Sequence, residues 1–142
     1  QAGTLTKYLL NDILSTVLDP IGTEDHMTIA EIPEVSIVID SNGLSKFIVA
    51  EVIDSTSDDQ RLVVRADHRC EFHDEIRNRL RGELAMHGFR IRCVGGGRIV
   101  INAEEKTIRI MNKSGAFGKE PDRQKTVRML ERSFPEYQIS II

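Results

Sequence analysis

Residues 65 to 76 read Arg-Ala-Asp-His-Arg-Cys-Glu-Phe-His-Asp-Glu-Ile and bring histidine, thiol, carboxylate and guanidinium together in one short run. His73 has the most telling position. Ahead of it Arg61-Leu62-Val63-Val64-Arg65 reads as a strand, and behind it Phe72, Ile76, Leu80 and Leu84 draw an apolar stripe along a helix. His73 therefore falls near a helix N-terminus, where free backbone N–H groups favour an anion and disfavour an imidazolium. A neutral imidazole beside an anion site is what a general base for phosphate chemistry requires. The competing reading is a half-exposed histidine on a solvated helix face, a common setting for this residue type.

Two glycine-rich stretches could complete an anion site. Gly95-Gly96-Gly97 precedes Arg98 and Ile99, and is either a tight turn or a place where backbone approaches a ligand closely. Ser114-Gly115-Ala116, with Gly118 following, offers a hydroxyl and pliant amides, the materials of a phosphate nest, but no Walker lysine pattern accompanies it. Lys46, Arg65 and Arg98 are cations in or beside strands, where an isolated one is usually solvated. His68, Cys70 and His73, with Cys93 further on, match no standard zinc-ligand spacing, and alternation would aim them in different directions. Cys93 alternates with Ile91 and is expected in the core, which argues against a cysteine nucleophile.

Composition sets the frame in which such a site could exist. The chain has 142 residues, 40% hydrophobic and 29% charged, enough for one core and short for two. A net charge of −3 and a pI near 5.8 argue against a general binder of nucleic acid or membrane surfaces. No apolar run approaches the roughly 18 residues needed to span a bilayer, and the first residues lack the pattern of a secretory signal. Cys70 and Cys93 are too few for a disulfide framework, so reduced thiols and a cytoplasmic location are expected.

The elements that would hold these residues can be read in order. Leu5, Tyr8, Leu9, Ile13 and Val17 have helical spacing, stopped by Asp19-Pro20-Ile21-Gly22, which predicts a helical N-terminal extension with a polar link over residues 1–30. Gln1 is not an initiator methionine, and Met27 is one candidate start. From Ile32 the pattern turns to β: strands at 35–39 and 46–53 joined as a hairpin by Asp40-Ser41-Asn42-Gly43, and a third at 61–65. Gly88 closes the His73 helix. Strands at 89–94, 99–101 and 107–111 follow, then a helix opened by Pro121 with Val127, Leu130 and Phe134 inward, and a last strand at 137–142. The order β-β-β-α-β-β-β-α-β predicts a single α+β domain over 31–142, a mixed β-sheet with helices packed on its faces.

Five elements in register give the chain a resemblance. Gly43-Leu44-Ser45-Lys46, Arg65 with His73, Gly95-Gly96-Gly97-Arg98, Ser114-Gly115-Ala116-Phe117-Gly118 and Phe134-Pro135-Glu136-Tyr137 together resemble the phosphohistidine phosphatase, or janus/ocnus, family over about residues 31 to 141. The N-terminal helix looks most similar to the insect janus and ocnus branch, associated with testis and sexual differentiation. The resemblance implies metal-independent, cofactor-free hydrolysis of phosphohistidine in partner proteins, by a monomer, with His73 activating water. It further implies that Lys46 and the Ser114-Gly115-Ala116 loop hold the phosphoryl group, aided by amides around His73 and Asp74 and supported by Arg65 and Arg98. Arg69 and Cys70 depart from the family's usual aromatic and small residues, and the chain ends without the family's acidic-glycine-tyrosine tail. The alternative from another class is a regulatory module that binds phosphoryl groups without turning them over.

Overall fold

A computed structural model describes residues 27–142, so the helix expected over residues 5 to 18 lies outside the described part. A six-stranded mixed sheet forms the middle layer: β1 (Val35–Val38), β2 (Leu44–Asp54), β3 (Gln60–Asp67), β4 (Phe89–Asn102), β5 (Thr107–Met111) and β6 (Gln138–Ile141). Their order across the sheet is β1-β3-β2-β4-β5-β6, with β1 parallel to β3, β5 parallel to β6 and the inner pairs antiparallel. Helix α1 (His73–Ala85) covers one face and α2 (Arg123–Ser133) the other. The described residues form a single α+β domain.

Period-two alternation sorts the strands' side chains between two cores. Ile48, Ala50, Val52 and Val63 meet Ile76, Leu80 and Leu84 of α1. Phe47, Val49, Val64, Ile99, Ile108 and Ile110 meet Met129, Leu130 and Phe134 on the α2 side. Helix α2 touches both outermost strands, β1 and β6. Among the described residues no helix is long and apolar enough to cross a membrane.

Four expectations need correction. Residues 35–39 and 46–53 are not a hairpin, because β3 returns between β1 and β2 and pairs with both. Turn chemistry at residues 40–43 reverses the chain without fixing which strand becomes the neighbour. The glycine triplet is no turn either, since it lies inside one continuous 14-residue strand. Phe72 leaves the apolar stripe: as the N-cap of α1 it is 57% exposed, and His73 takes the buried place in line with Ile76, Leu80 and Leu84. Finally, α2 begins after Asp122, whose side chain accepts from the Lys125 amide, so Pro121 stands outside the helix.

The triplet has a steric reason for its composition. A Cβ on Gly95 would lie 2.1 Å from the Glu120 nitrogen, one on Gly96 2.2 Å from the Phe47 carbonyl oxygen, and one on Gly97 2.3 Å from the Met111 carbonyl oxygen. The backbone here is crowded by other backbone on every side. Just upstream the pairing shifts between Val49–Gly95 and Ala50–Cys93, a bulge that leaves Val94 extra and re-aims the strand.

Candidate phosphoryl site around His73

The α1 face of the sheet gathers the predicted cations. Lys46 stands directly opposite Arg98 across β2 and β4, and it shares the face of Ile48, against which α1 packs. Arg98 is exposed and Lys46 half-buried. Both are close enough to His73 that their charges disfavour its protonation.

His73 opens α1, and its imidazole is buried at 8% exposure with Nε2 2.9 Å from the Gly97 carbonyl oxygen. A carbonyl oxygen can only accept, so Nε2 carries the proton and Nδ1 keeps the lone pair. Burial holds the histidine below its ordinary pKa of 6.5, with the Gly97 carbonyl and Asp74 opposing that shift and Lys46 and Arg98 reinforcing it. The imidazole is therefore neutral and of one tautomer at pH 7. At the same helix start, the Glu75 carboxylate accepts from the Glu71 and Phe72 amides at 3.0 and 2.9 Å. Those two amides are occupied, while the first-turn amides of His73 and Asp74 have no partner within the helix. Asp74 itself is exposed.

The Ser114–Gly118 loop docks on the same glycine strand. The Gly96 amide donates to the Gly118 carbonyl at 2.9 Å, and the Ser114 amide donates to the Gly96 carbonyl at 3.1 Å. Ser114 is 2% exposed and its hydroxyl faces inward, accepting from the amides of Ala116 at 3.2 Å and Phe117 at 3.0 Å. It fixes the loop's shape, and the exposed residues Gly115 and Ala116 form the tip. Consecutive peptides of β4 thus carry both halves of the site: Gly96 holds the loop and Gly97 holds the histidine.

Arg65 belongs to the α1 face by register, but its guanidinium turns toward the sheet's edge and donates to the carbonyls of Pro33 and Val64 at 2.8 and 2.9 Å. It braces β3 against the segment leading into β1. Arg69 forms a two-pronged pair with Asp67 at 2.8 and 2.7 Å, and Cys70 is buried. Burial pushes both thiols up, Cys93 to about 11, so neither is a ready thiolate. Among the described residues no three His, Cys, Asp or Glu side chains come together. A polar cavity of about 270 Å³ between the 40–43 and 102–104 turns is lined by Asp40 and Glu104, an electrostatic setting that opposes a phosphoryl group.

Some participants left no trace in the residue pattern. Gly97 contributes a backbone carbonyl, which any residue type has. Glu120 and Arg123, buried behind the triplet, look in the sequence like ordinary charges around a helix start.

A model of the Janus/Ocnus family (Ocnus) matches residues 29–138, nearly all of the described fold. The chain belongs to the Janus/Ocnus family. Among similar proteins, the sex-regulated protein janus-A of Drosophila yakuba is 36% identical over 101 residues, 71% of this chain and 73% of that protein. The Drosophila melanogaster janus-A is 34% identical over 103 residues, covering 72% and 75% respectively. A 14 kDa phosphohistidine phosphatase of Sus scrofa is 27% identical over 117 residues, covering 79% of this chain and 90% of that protein. The segments that carry the sequence resemblance fall on β2, the end of β3 with the start of α1, the middle of β4, the Ser114–Gly118 loop and the stretch between α2 and β6.

Proposed function

We propose that this chain removes the phosphoryl group from phosphohistidine in partner proteins, with His73 as general base. The observation that carries the reading is the His73 imidazole itself: buried, neutral, fixed in one tautomer by the Gly97 carbonyl, and flanked by Lys46 and Arg98. Kinship with a phosphohistidine phosphatase supports it. In the proposed reaction His73 Nδ1 takes a proton from water as the oxygen bonds to phosphorus. The P–N bond breaks with its electron pair on the substrate imidazole, which takes a proton from solvent water to give histidine and inorganic phosphate, and His73 returns its gained proton to solvent. Phosphoryl transfer has a loose, highly charged transition state, so positioning and positive charge provide most of the catalysis. Lys46 and Arg98 provide the charge, while Gly115, Ala116 and the amides of His73 and Asp74 line the phosphoryl oxygens. Ser114 shapes that wall and Arg65 supports the sheet edge.

The mechanism uses no metal or other cofactor and needs no second copy of the chain, and a cytoplasmic monomer suits it. Exhaustive chelation is expected to leave hydrolysis unchanged. Loss of activity that zinc or magnesium restores would contradict the mechanism.

A second reading is favoured by the names of the insect relatives, which speak of sex regulation. In it the chain binds phosphohistidine as a regulatory module in sexual differentiation without hydrolysing it. Steady release of phosphate from a phosphohistidine protein over many turnovers supports the enzyme. Tight, Lys46-dependent binding without release supports the module.

A further inference from the structure

On the α2 face, behind the site, lies a buried charged cluster that the proposed reaction does not use. Arg123, Glu120 and Thr126 are 6%, 4% and 1% exposed. Arg123 donates to both Glu120 carboxylate oxygens, at 3.2 and 2.7 Å, and Thr126 donates its hydroxyl proton to the same carboxylate at 2.7 Å. The guanidinium also reaches the Gly96 carbonyl at 2.9 Å and the Asn112 carbonyl, and it lies over the Phe47 ring. We infer that Glu120, Arg123 and Thr126 form a positioning device that sets the Gly96–Gly97 backbone, and through it the orientation of His73 and the Ser114 loop.

The packing leaves the device little slack. Phe47, the cross-strand partner of Gly97, is fully buried beneath the guanidinium. A Cβ on Gly97 would stand 3.0 Å from Arg123 Nη2, and one on Gly95 would collide with the Glu120 backbone. Two glycines of the triplet thus make room for this segment. The Gly96 carbonyl receives Arg123 and the Ser114 amide, and the next carbonyl, of Gly97, receives His73. A shift of the guanidinium would move the Gly96–Gly97 peptide, which holds the Ser114 amide directly and is joined at the Gly97 Cα to the next peptide, whose carbonyl holds His73.

Stability alone is a poor reason for such a cluster. Burying an ion pair costs about as much in desolvation as the pair returns, and a well-packed apolar substitute is often as stable. What a guanidinium supplies is a planar fork that ties several acceptors in one fixed geometry, which neither lysine nor an apolar side chain reproduces.

The inference rests on His73 as the base, so its test combines a kinetic and a spectroscopic reading. Arg123→Met and Arg123→Lys are compared with wild type for kcat and KM on a phosphohistidine peptide, and for the His73 tautomer by ¹⁵N NMR. The expected wild-type spectrum is a single Nε2–H tautomer. Arg123→Met should populate both tautomers and lower kcat by about 10- to 100-fold, with KM much less affected. Arg123→Lys keeps the charge opposite Glu120 but cannot span all the acceptors, so it should recover stability while tautomer and kcat remain disturbed. If Arg123→Met does not fold, Arg123→Lys and Thr126→Val carry the test in the same two measurements. A folded Arg123→Lys with one Nε2–H tautomer and wild-type kcat would overturn the inference. Should the wild-type chain release no phosphate, the hydrolase reading fails, and the tautomer measurement alone decides the inference.

Discussion

His73 works through a competition between burial and hydrogen bonding. Burial depresses its pKa more than the Gly97 carbonyl and Asp74 raise it, so the imidazole remains a base below its ordinary pKa of 6.5. For the proposed hydrolysis, kcat/KM is expected to hold level through neutral pH and decline only on the acid side of 6.5, the limb reporting His73 protonation in the free enzyme. An acid limb centred above 6.5 would contradict the assigned environment. The same depression bears on stability: the unfolded chain binds this proton more readily, so below 6.5 acidification favours unfolding until the folded-state pKa is passed. Above 6.5 this group adds no pH dependence. Denaturant melts of wild type and His73→Asn should therefore converge in relative stability as pH falls through that window. Much about His73 was legible in the residue pattern, including its helix-start position and its neutral state. Its burial was hidden because Phe72 fitted the four-residue spacing equally well, and its partner was hidden because the acceptor belongs to the backbone.

At the scale of elements, β4 and α1 carry the candidate site and show how specific packing must be. Leu80 is 2% exposed in the core under α1, and Leu80→Ala is expected to cost about 2 to 5 kcal/mol in urea unfolding. Gly96→Ala should cost at least about 3 kcal/mol despite adding a single methyl, because the Cβ would meet the Phe47 carbonyl and the Ile48 backbone, which cannot rotate away. A Gly96→Ala protein of wild-type stability would refute the crowding described for the triplet. Glycine's ordinary associations led the sequence reading to break β4 into two strands. Only the approach of β2, β5 and the segment before α2 explains why glycine is required in mid-strand. Strand and helix types at most positions were readable because alternation and four-residue spacing are local signals, whereas close approach is a property of partners distant in sequence.

Across the described residues one sheet separates two cores, with the candidate site on the α1 face and the buried Glu120–Arg123 cluster on the other. The α+β class followed from the element order, but the neighbours of β1 did not, since its parallel pairing with β3 depends on a contact no turn signal announces. The central claim concerns turnover, and comparison of wild type with His73→Asn tests it most directly: phosphate release from a phosphohistidine protein, with the affinity for inorganic phosphate measured alongside. The predicted result is multiple turnovers by wild type and a fall of roughly 10² to 10⁴ in kcat for His73→Asn, with little change in phosphate affinity. Undiminished release by folded His73→Asn would contradict the account.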